Sequence, residues 1–407
     1  MISTSHPWRA MSLEFRPSDN IARMKESATL AVAARSRALK AAGHAIIDLG
    51  AGEPDFDTPQ FIRQAASEAV ERGATRYTAT EGILPLREAI AAAASRLALG
   101  GAAVTAAEVV VSSGSKQSLY NACVCLFGPG DEVLVPTPAW TSYYDMLELA
   151  RAKAVPVYGA ESNSLKVTVE QLAAAATSRT KGLMLCSPSN PTGAVYGREE
   201  LTAILELASA RGWWVIADEI YVRIAYGRPA HSALELVRQR DNLVVINGVA
   251  KAYAMTGWRI GWSIAPVAVS KAMTAFQSHT TSNAAAVSQH AALAAVARHD
   301  EAEAAITMMV AEFTKRRNAV LDALKAFPTV RYVEPEGAFY LYVNVDGFEG
   351  AADPGAAFAE RVLEREQVAV VPGSAFLTPG WIRASYATSQ SIAVDGVTRI
   401  ARCLTNG

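Results

Sequence analysis

Six short, almost wholly apolar runs recur between residues 108 and 246, and they restrict the possible folds of this chain more than any other feature. They are Glu108–Ser112, Glu132–Pro136, Ala154–Val157, Gly182–Cys186, Trp213–Ala217 and Asn242–Ile246. Most are β-branched and continuous rather than alternating. A strand with one wet face alternates, whereas a continuous run is how a strand covered on both faces reads. Segments of helical pattern separate most of the runs, as right-handed crossovers between parallel strands require. The expectation is an α/β fold: an open, mostly parallel sheet flanked by helices. Ligands then bind outside the carboxyl ends of the strands.

The flanking sequence fills in the rest. Thr58-Pro59 reads as an N-cap followed by Pro at the first helical position. Phe61, Ile62, Ala65, Ala66, Ala69 and Val70 then share one helical face, Gly73 ends the run, and a second helix follows Pro85. Beyond residue 265 the texture changes. Long helical patterns cover roughly 267–326, and Arg331–Val345, Val368–Val371 and Trp381–Ala387 read as strands around a helix near 355–366. A last helix follows Ser389. With 407 residues, too many for one compact core, this predicts a segment 1–58 that packs with a small α+β domain 321–407, and a large domain 59–320.

Hydrophobic residues at 51% and charged residues at 19% describe a globular chain with little room for long disordered arms. A net charge of -1 gives no footprint for nucleic acid or an anionic membrane, so an anionic substrate needs local Lys or Arg. No stretch reaches the roughly 18 apolar residues of a membrane span. Residues 1–20 include Trp8, Arg9, Glu14, Arg16 and Asp19 and hold no signal-peptide core, and Met11 is an alternative start. Cys123 and Cys125 have no partner pair elsewhere, so no metal site is expected and the four cysteines read as reduced thiols in a cytoplasmic protein.

The informative polar residues follow the strands. Asp218 ends an apolar strand in Asp218-Glu219-Ile220-Tyr221, where it is either a helix cap or a partner that keeps a ring nitrogen protonated. Lys251 follows Asn242–Ile246 at a place poor for a solvated charge. Desolvation and a nearby cation, Arg259, would lower its pKa as an imine-forming amine needs. Gly114, Ser115 and Lys116 open a helix whose first N–H groups can face an anion. Trp140 is either core or a stacking platform. Asn190 is either a turn residue or a donor to a phenolic oxygen. Arg383, mid-strand in Trp381-Ile382-Arg383-Ala384, is either half of an ion pair or a fork for a carboxylate.

Together these motifs resemble the class I aminotransferases of fold type I, in particular the bacterial branch of aspartate and aspartate/prephenate enzymes. The resemblance runs from about residue 20 to the end. Its strongest carriers are Leu49–Pro59, Ser189-Asn190-Pro191-Thr192-Gly193, Asp218-Glu219-Ile220-Tyr221 and Ala250–Gly261. It implies a pyridoxal 5′-phosphate enzyme with Lys251 as the Schiff-base lysine. Asp218 would pair with the ring nitrogen, Asn190 and Tyr221 would hold the 3′ oxygen, and Trp140 would stack on the ring. Gly114, Ser115, Lys116 and Arg259 would bind the phosphate. Arg383, Asn190 and Gly52 would take the substrate carboxylate. Tyr77 would reach the phosphate of a second subunit, which implies a homodimer with shared sites. Substrates would be an L-amino acid and a 2-oxo acid, aspartate or glutamate first, with Lys25, Ser27 and Thr29 as readers of a distal carboxylate. Aromatic, prephenate or alanine-type donors, a carbon–sulfur lyase, and an aminotransferase-like regulator are the alternatives. Ala250 and Glu26 depart from the branch pattern, where Ser and Pro are common.

Overall fold

All six apolar runs become strands of one seven-stranded sheet in the computed structural model of the chain, which describes residues 15–22, 24, 28–101 and 103–405. In spatial order the strands are Val109–Ser112, Gly261–Ile264, Leu243–Gly248, Trp214–Asp218, Thr180–Cys186, Glu132–Thr137 and Lys153–Tyr158. Gly261–Ile264 is absent from the sequence reading. It runs antiparallel to both of its neighbours, and the other pairs are parallel. The continuous apolar runs are explained by the packing. Val109, Leu134, Leu183, Leu185, Val215 and Val245 pack into one core, and Val133, Val135, Met184, Ile216, Val244 and Ile246 pack into another. Successive side chains point to opposite faces, so covering both faces requires an apolar residue at every position.

The first helix of this layer is Gln60–Glu71, with Pro59 at its N-cap, one residue later than expected. The Thr58 hydroxyl does not cap it. It donates to the Ala254 carbonyl at 2.6 Å and accepts the Trp258 indole N–H at 3.0 Å, tying the helix start to the segment after Lys251. Ile62, Ala65, Ala66 and Ala69 are buried as expected, but Val70 points to solvent. Gly73, at φ +76°, takes the left-handed turn that ends the helix. The second helix, Leu84–Leu97, carries Pro85 in its first turn.

A four-stranded antiparallel sheet lies in the C-terminal part, in the order Val371–Pro372, Trp381–Ser385, Tyr340–Asn344 and Tyr332–Val333. The run Arg331–Val345 is therefore two strands. Pro335 has no N–H for a ladder, and a Cβ on Gly337 would come within 2.6 Å of Pro188 and 2.7 Å of the Ile224 carbonyl. Val368–Val371 is likewise divided. Val368–Ala369 pairs in parallel with Ile47–Asp48, and Val371–Pro372 joins the four-stranded sheet. Helix Pro354–Glu366, capped by the Asp353 side chain at 2.9 Å, packs here with Gln390–Thr405. The 26-residue helix His299–Leu324 lies against Gln390–Thr405. Among the described residues no helix is long and apolar enough to cross a membrane.

Candidate active site

The carboxyl ends of the large sheet and the strand Trp381–Ser385 deliver an unusual set of buried charges. Asp218 is the last residue of its strand and is 3% exposed. Its carboxylate accepts from the Tyr143 hydroxyl at 2.6 Å and from the Ile220 N–H at 3.2 Å. Burial pushes the carboxyl up to about 6, against these hydrogen bonds and the charge of Lys251, which favour the ionised form.

Lys251 lies three residues beyond the strand Leu243–Gly248. Its Nζ donates to the Gly52 carbonyl and lies 5.8 Å from the ring centroids of both Tyr221 and Phe339. Burial, and then the charge of Arg383, bring the amine down to about 8, while Glu53 and Asp218 pull the other way.

Arg383 is 1% exposed. Nη1 donates to Asn190 Oδ1 at 2.9 Å, Nη2 donates to the Gly50 carbonyl at 2.9 Å, and Nε has no hydrogen-bond partner among the described residues. The guanidinium stacks on the Tyr340 ring at 4.3 Å and lies 5.3 Å from that of Phe376. A buried cation among neutral partners, with one donor idle, is costly: an unpaired buried donor alone costs about 1–3 kcal/mol. A bound carboxylate removes that cost. Asn190 is held for this contact by its turn, where Ser189 N–H donates to the Ala194 carbonyl and Gly193 N–H to the Ser189 carbonyl, both at 2.9 Å. The Tyr221 hydroxyl shares a hydrogen bond of 2.8 Å with Tyr340.

A helix start with an arginine against it lies nearby. Gly114, at φ +87°, is the N-cap of helix Ser115–Leu126, and the N–H groups of Ser115 and Lys116 fall in the turn that a helix leaves without internal partners. A Cβ on Gly114 would sit 2.5 Å from Arg259 Nη2, so only glycine lets this guanidinium approach. Arg259 itself has left-handed backbone, and its Nη1 donates to the Thr256 carbonyl at 2.8 Å. Ser115 Oγ donates to the Asn247 carbonyl at 2.9 Å, so its hydroxyl proton is already used. Lys116 Nζ lies 4.8 Å from the Trp140 ring centroid, and burial and Arg259 lower its pKa. Trp140 meets Tyr143 edge to face at 5.6 Å.

Thus Gly52, Tyr221, Asp218, Lys251, Asn190 and Arg383 join one network, and Gly114, Ser115, Lys116, Trp140 and Arg259 lie around the helix start beside it. Tyr77 stands apart at 92% exposure. Lys25, Glu26 and Ser27 lie outside the described residues, and Thr29 falls in the helix Ala28–Ala41. Ala250 is half-buried against the C-terminal core. Sequence reasoning missed Tyr143 and Tyr340. The only local signal was that a buried tyrosine needs a partner for its hydroxyl, and nothing in the sequence named that partner.

Residues 44–397 match the family described as aminotransferase class I and II. The chain is similar to an aspartate aminotransferase of Streptomyces avermitilis, with 46% identity over 400 residues that cover 96% of this chain and 97% of that protein. It is also similar to an aspartate/prephenate aminotransferase of Cereibacter sphaeroides, with 42% identity covering 94% and 97% of the two chains. Among solved structures, an aspartate aminotransferase from Thermus thermophilus with maleate matches at a TM-score of 0.90 and 38% identity, over 96% of this chain and 100% of that one.

Proposed function

The chain belongs to the class I and II aminotransferases and is a pyridoxal-phosphate-dependent enzyme of that kind; from this premise we propose that it moves the amino group of L-aspartate or L-glutamate to a 2-oxo acid. The observation that carries the substrate side of this reading is Arg383, a buried guanidinium with neutral partners and an idle Nε. It would take an α-carboxylate, with Asn190 and the Gly50 carbonyl hydrogen-bonded to it and the Gly52 backbone two residues further along.

The residues present fit the cofactor. Asp218, buried and hydrogen-bonded to neutral groups, would hold the ring nitrogen protonated. Gly114, the N–H groups of Ser115 and Lys116, and Arg259 would take the phosphate at the helix start. Trp140 would cover the ring, and Asn190 and Tyr221 would hold its phenolic oxygen. When bound, the cofactor supplies a carbonyl carbon for amines and a ring that accepts the electron pair left at Cα. Lys251 Nζ would hold that carbon and, once the substrate amine has replaced it, would move the proton from the substrate Cα to the carbon it had held. An amine held near 8 suits both tasks, since it can gain or lose a proton close to neutral pH. The buried ring of Phe339, 5.8 Å from Lys251 Nζ, gives that amine an apolar wall.

The preference for a dicarboxylic donor is supported by the names of the relatives. Aromatic, prephenate and alanine-type donors are the competing readings. We also read the molecule as a cytoplasmic homodimer with shared sites. Four unpaired cysteines suit a reducing compartment, and Tyr77 projects into solvent as a residue serving a second subunit's phosphate must. We also divide the chain into a segment 1–58, a large domain 59–320 that holds the seven-stranded sheet and a small domain 321–407 that holds the four-stranded one, with Ile47–Asp48 pairing with Val368–Ala369 of the small domain.

Initial rates with 2-oxoglutarate or oxaloacetate as acceptor test the substrate. L-aspartate and L-glutamate should exceed L-alanine and L-phenylalanine in kcat/KM by about a hundredfold, the scale expected when a site that binds a polar group of the substrate meets an analogue without it. Equal or reversed rates would reject the dicarboxylic reading. Ammonia and pyruvate released from cystathionine without an acceptor would point to lyase chemistry.

A further inference from the structure

We propose that Tyr340 is a positioning residue that connects the carboxylate fork to the hydroxyl of Tyr221, so that one side chain serves both the substrate end and the proton-holding end of the site. The inference rests on the reading of Tyr221 as a donor to the cofactor's phenolic oxygen.

Tyr340 opens the strand Tyr340–Asn344, pairs in register with Ser385 two residues from Arg383, and is 1% exposed. Three contacts meet on it. Its ring lies under the Arg383 guanidinium at 4.3 Å, its hydroxyl is 2.8 Å from that of Tyr221, and a Cβ on Gly52 would come within 3.3 Å of that same hydroxyl. Gly52 is also the residue whose carbonyl receives Lys251.

Proton inventory fixes the direction of the tyrosine pair. Each phenol carries one proton. If Tyr221 gives its proton to the cofactor's oxygen, the 2.8 Å contact holds only if Tyr340 donates to Tyr221. A hydroxyl that accepts a hydrogen bond becomes a better donor, so Tyr340 both aims and strengthens Tyr221. With cofactor bound, its phenolic oxygen would then be better stabilised as an anion, and a proton on Lys251 Nζ would be held less tightly. The ring of Tyr340 has a separable task. It presents a π face to a buried guanidinium whose hydrogen-bond partners are all neutral, and so holds the fork flat for a carboxylate.

The two tasks come apart by substitution in the cofactor-loaded enzyme. Tyr340→Phe keeps the ring and removes the hydroxyl. The pH midpoint of the cofactor's visible band should rise by about half a unit, the scale of one hydrogen bond to a partly charged oxygen. KM for L-aspartate should stay within about twofold, since the fork is intact. Tyr340→Leu removes the ring as well, and KM should rise by about tenfold. Tyr221→Phe alone should raise the midpoint further. In the double variant Tyr221→Phe/Tyr340→Phe, the Tyr340 substitution should add nothing to that rise. If Tyr221→Phe leaves the midpoint unmoved, the reading of Tyr221 fails and the proposal goes with it. If Tyr221→Phe shifts the midpoint but Tyr340→Phe does not, or if the Tyr340 shift persists without the Tyr221 hydroxyl, the proposal alone is overturned.

Discussion

Arg316 and Arg383 are both buried, at 6% and 1% exposure, and their surroundings are opposite. Arg316 meets Asp55 at 2.6 Å and Glu312 at 3.2 Å, with the rings of Phe56 and Phe313 packed on it. Arg383 meets an amide oxygen, a backbone carbonyl and aromatic faces. The acids repeat the contrast. Glu132 receives Thr177, Arg179 and Lys153, which hold its carboxyl well below the usual range. Asp218 receives a phenol and one N–H, and burial holds its carboxyl high. In one region opposite charges neutralise one another within the fold. In the other the hydrogen-bond partners are neutral, the pattern of groups kept for a ligand at a cost in stability.

The sharpest way to break this contrast is to remove a group from the second region and find stability lost instead of activity. Lys251→Ala should reduce transamination by at least about 10⁴-fold and leave thermal unfolding of the cofactor-free protein nearly unchanged. Arg383→Ala should lower kcat/KM for L-aspartate by about 10²–10³-fold, chiefly through KM. Its counterpart Arg316→Ala should instead lower the unfolding free energy by roughly 3 kcal/mol, because Asp55 and Glu312 lose their cation, and change KM by no more than about threefold. If the two arginine variants had the same profile, the distinction between the regions would fail.

Asp218→Asn sharpens the comparison through pH. The folded carboxyl titrates near 6 and the unfolded one near 3.8, so the folded state binds more protons between these values and loses stability as pH rises through them. In the cofactor-free protein the substitution should stabilise by about 2–3 kcal/mol at pH 8. The gain should fade below pH 6 and be gone near pH 4. Denaturant unfolding at several pH values measures it, and a destabilised variant at pH 8 would place Asp218 with Glu132. A smaller effect concerns Lys251. Uptake of the cofactor's aldehyde by the cofactor-free protein should speed up as pH rises through about 8. Arg383→Ala should move that midpoint upward, since Arg383 helps to hold the amine low.

Much of this was legible in the sequence because it is local. A strand covered on both faces leaves an uninterrupted apolar run; Asp218 directly follows one such run, and Lys251 lies three residues beyond the strand that another forms. Gly261–Ile264 was hidden because a four-residue strand after a motif has too little pattern to register, and its antiparallel sense depends on its neighbours. Val70 fits the periodicity of its helix and still faces water, since periodicity gives a stripe but not its width. The partners of the site residues were the least legible. Tyr143 lies on a helix 75 residues before Asp218, and Tyr340 lies 119 residues after Tyr221. Both read as ordinary core aromatics until the chain brings them to a second polar group.

The most direct test is the half-reaction. Protein loaded with cofactor is mixed with L-aspartate and no oxo acid, and the visible absorbance is followed in the wild type and in Arg383→Ala. The expected result is a stoichiometric loss of the band in the wild type and its return on adding 2-oxoglutarate. The variant should need at least about a hundredfold more aspartate to reach the same loss. A wild-type band that aspartate leaves unchanged, or the same aspartate dependence in both proteins, would contradict the assignment of the unpaired charges to the substrate.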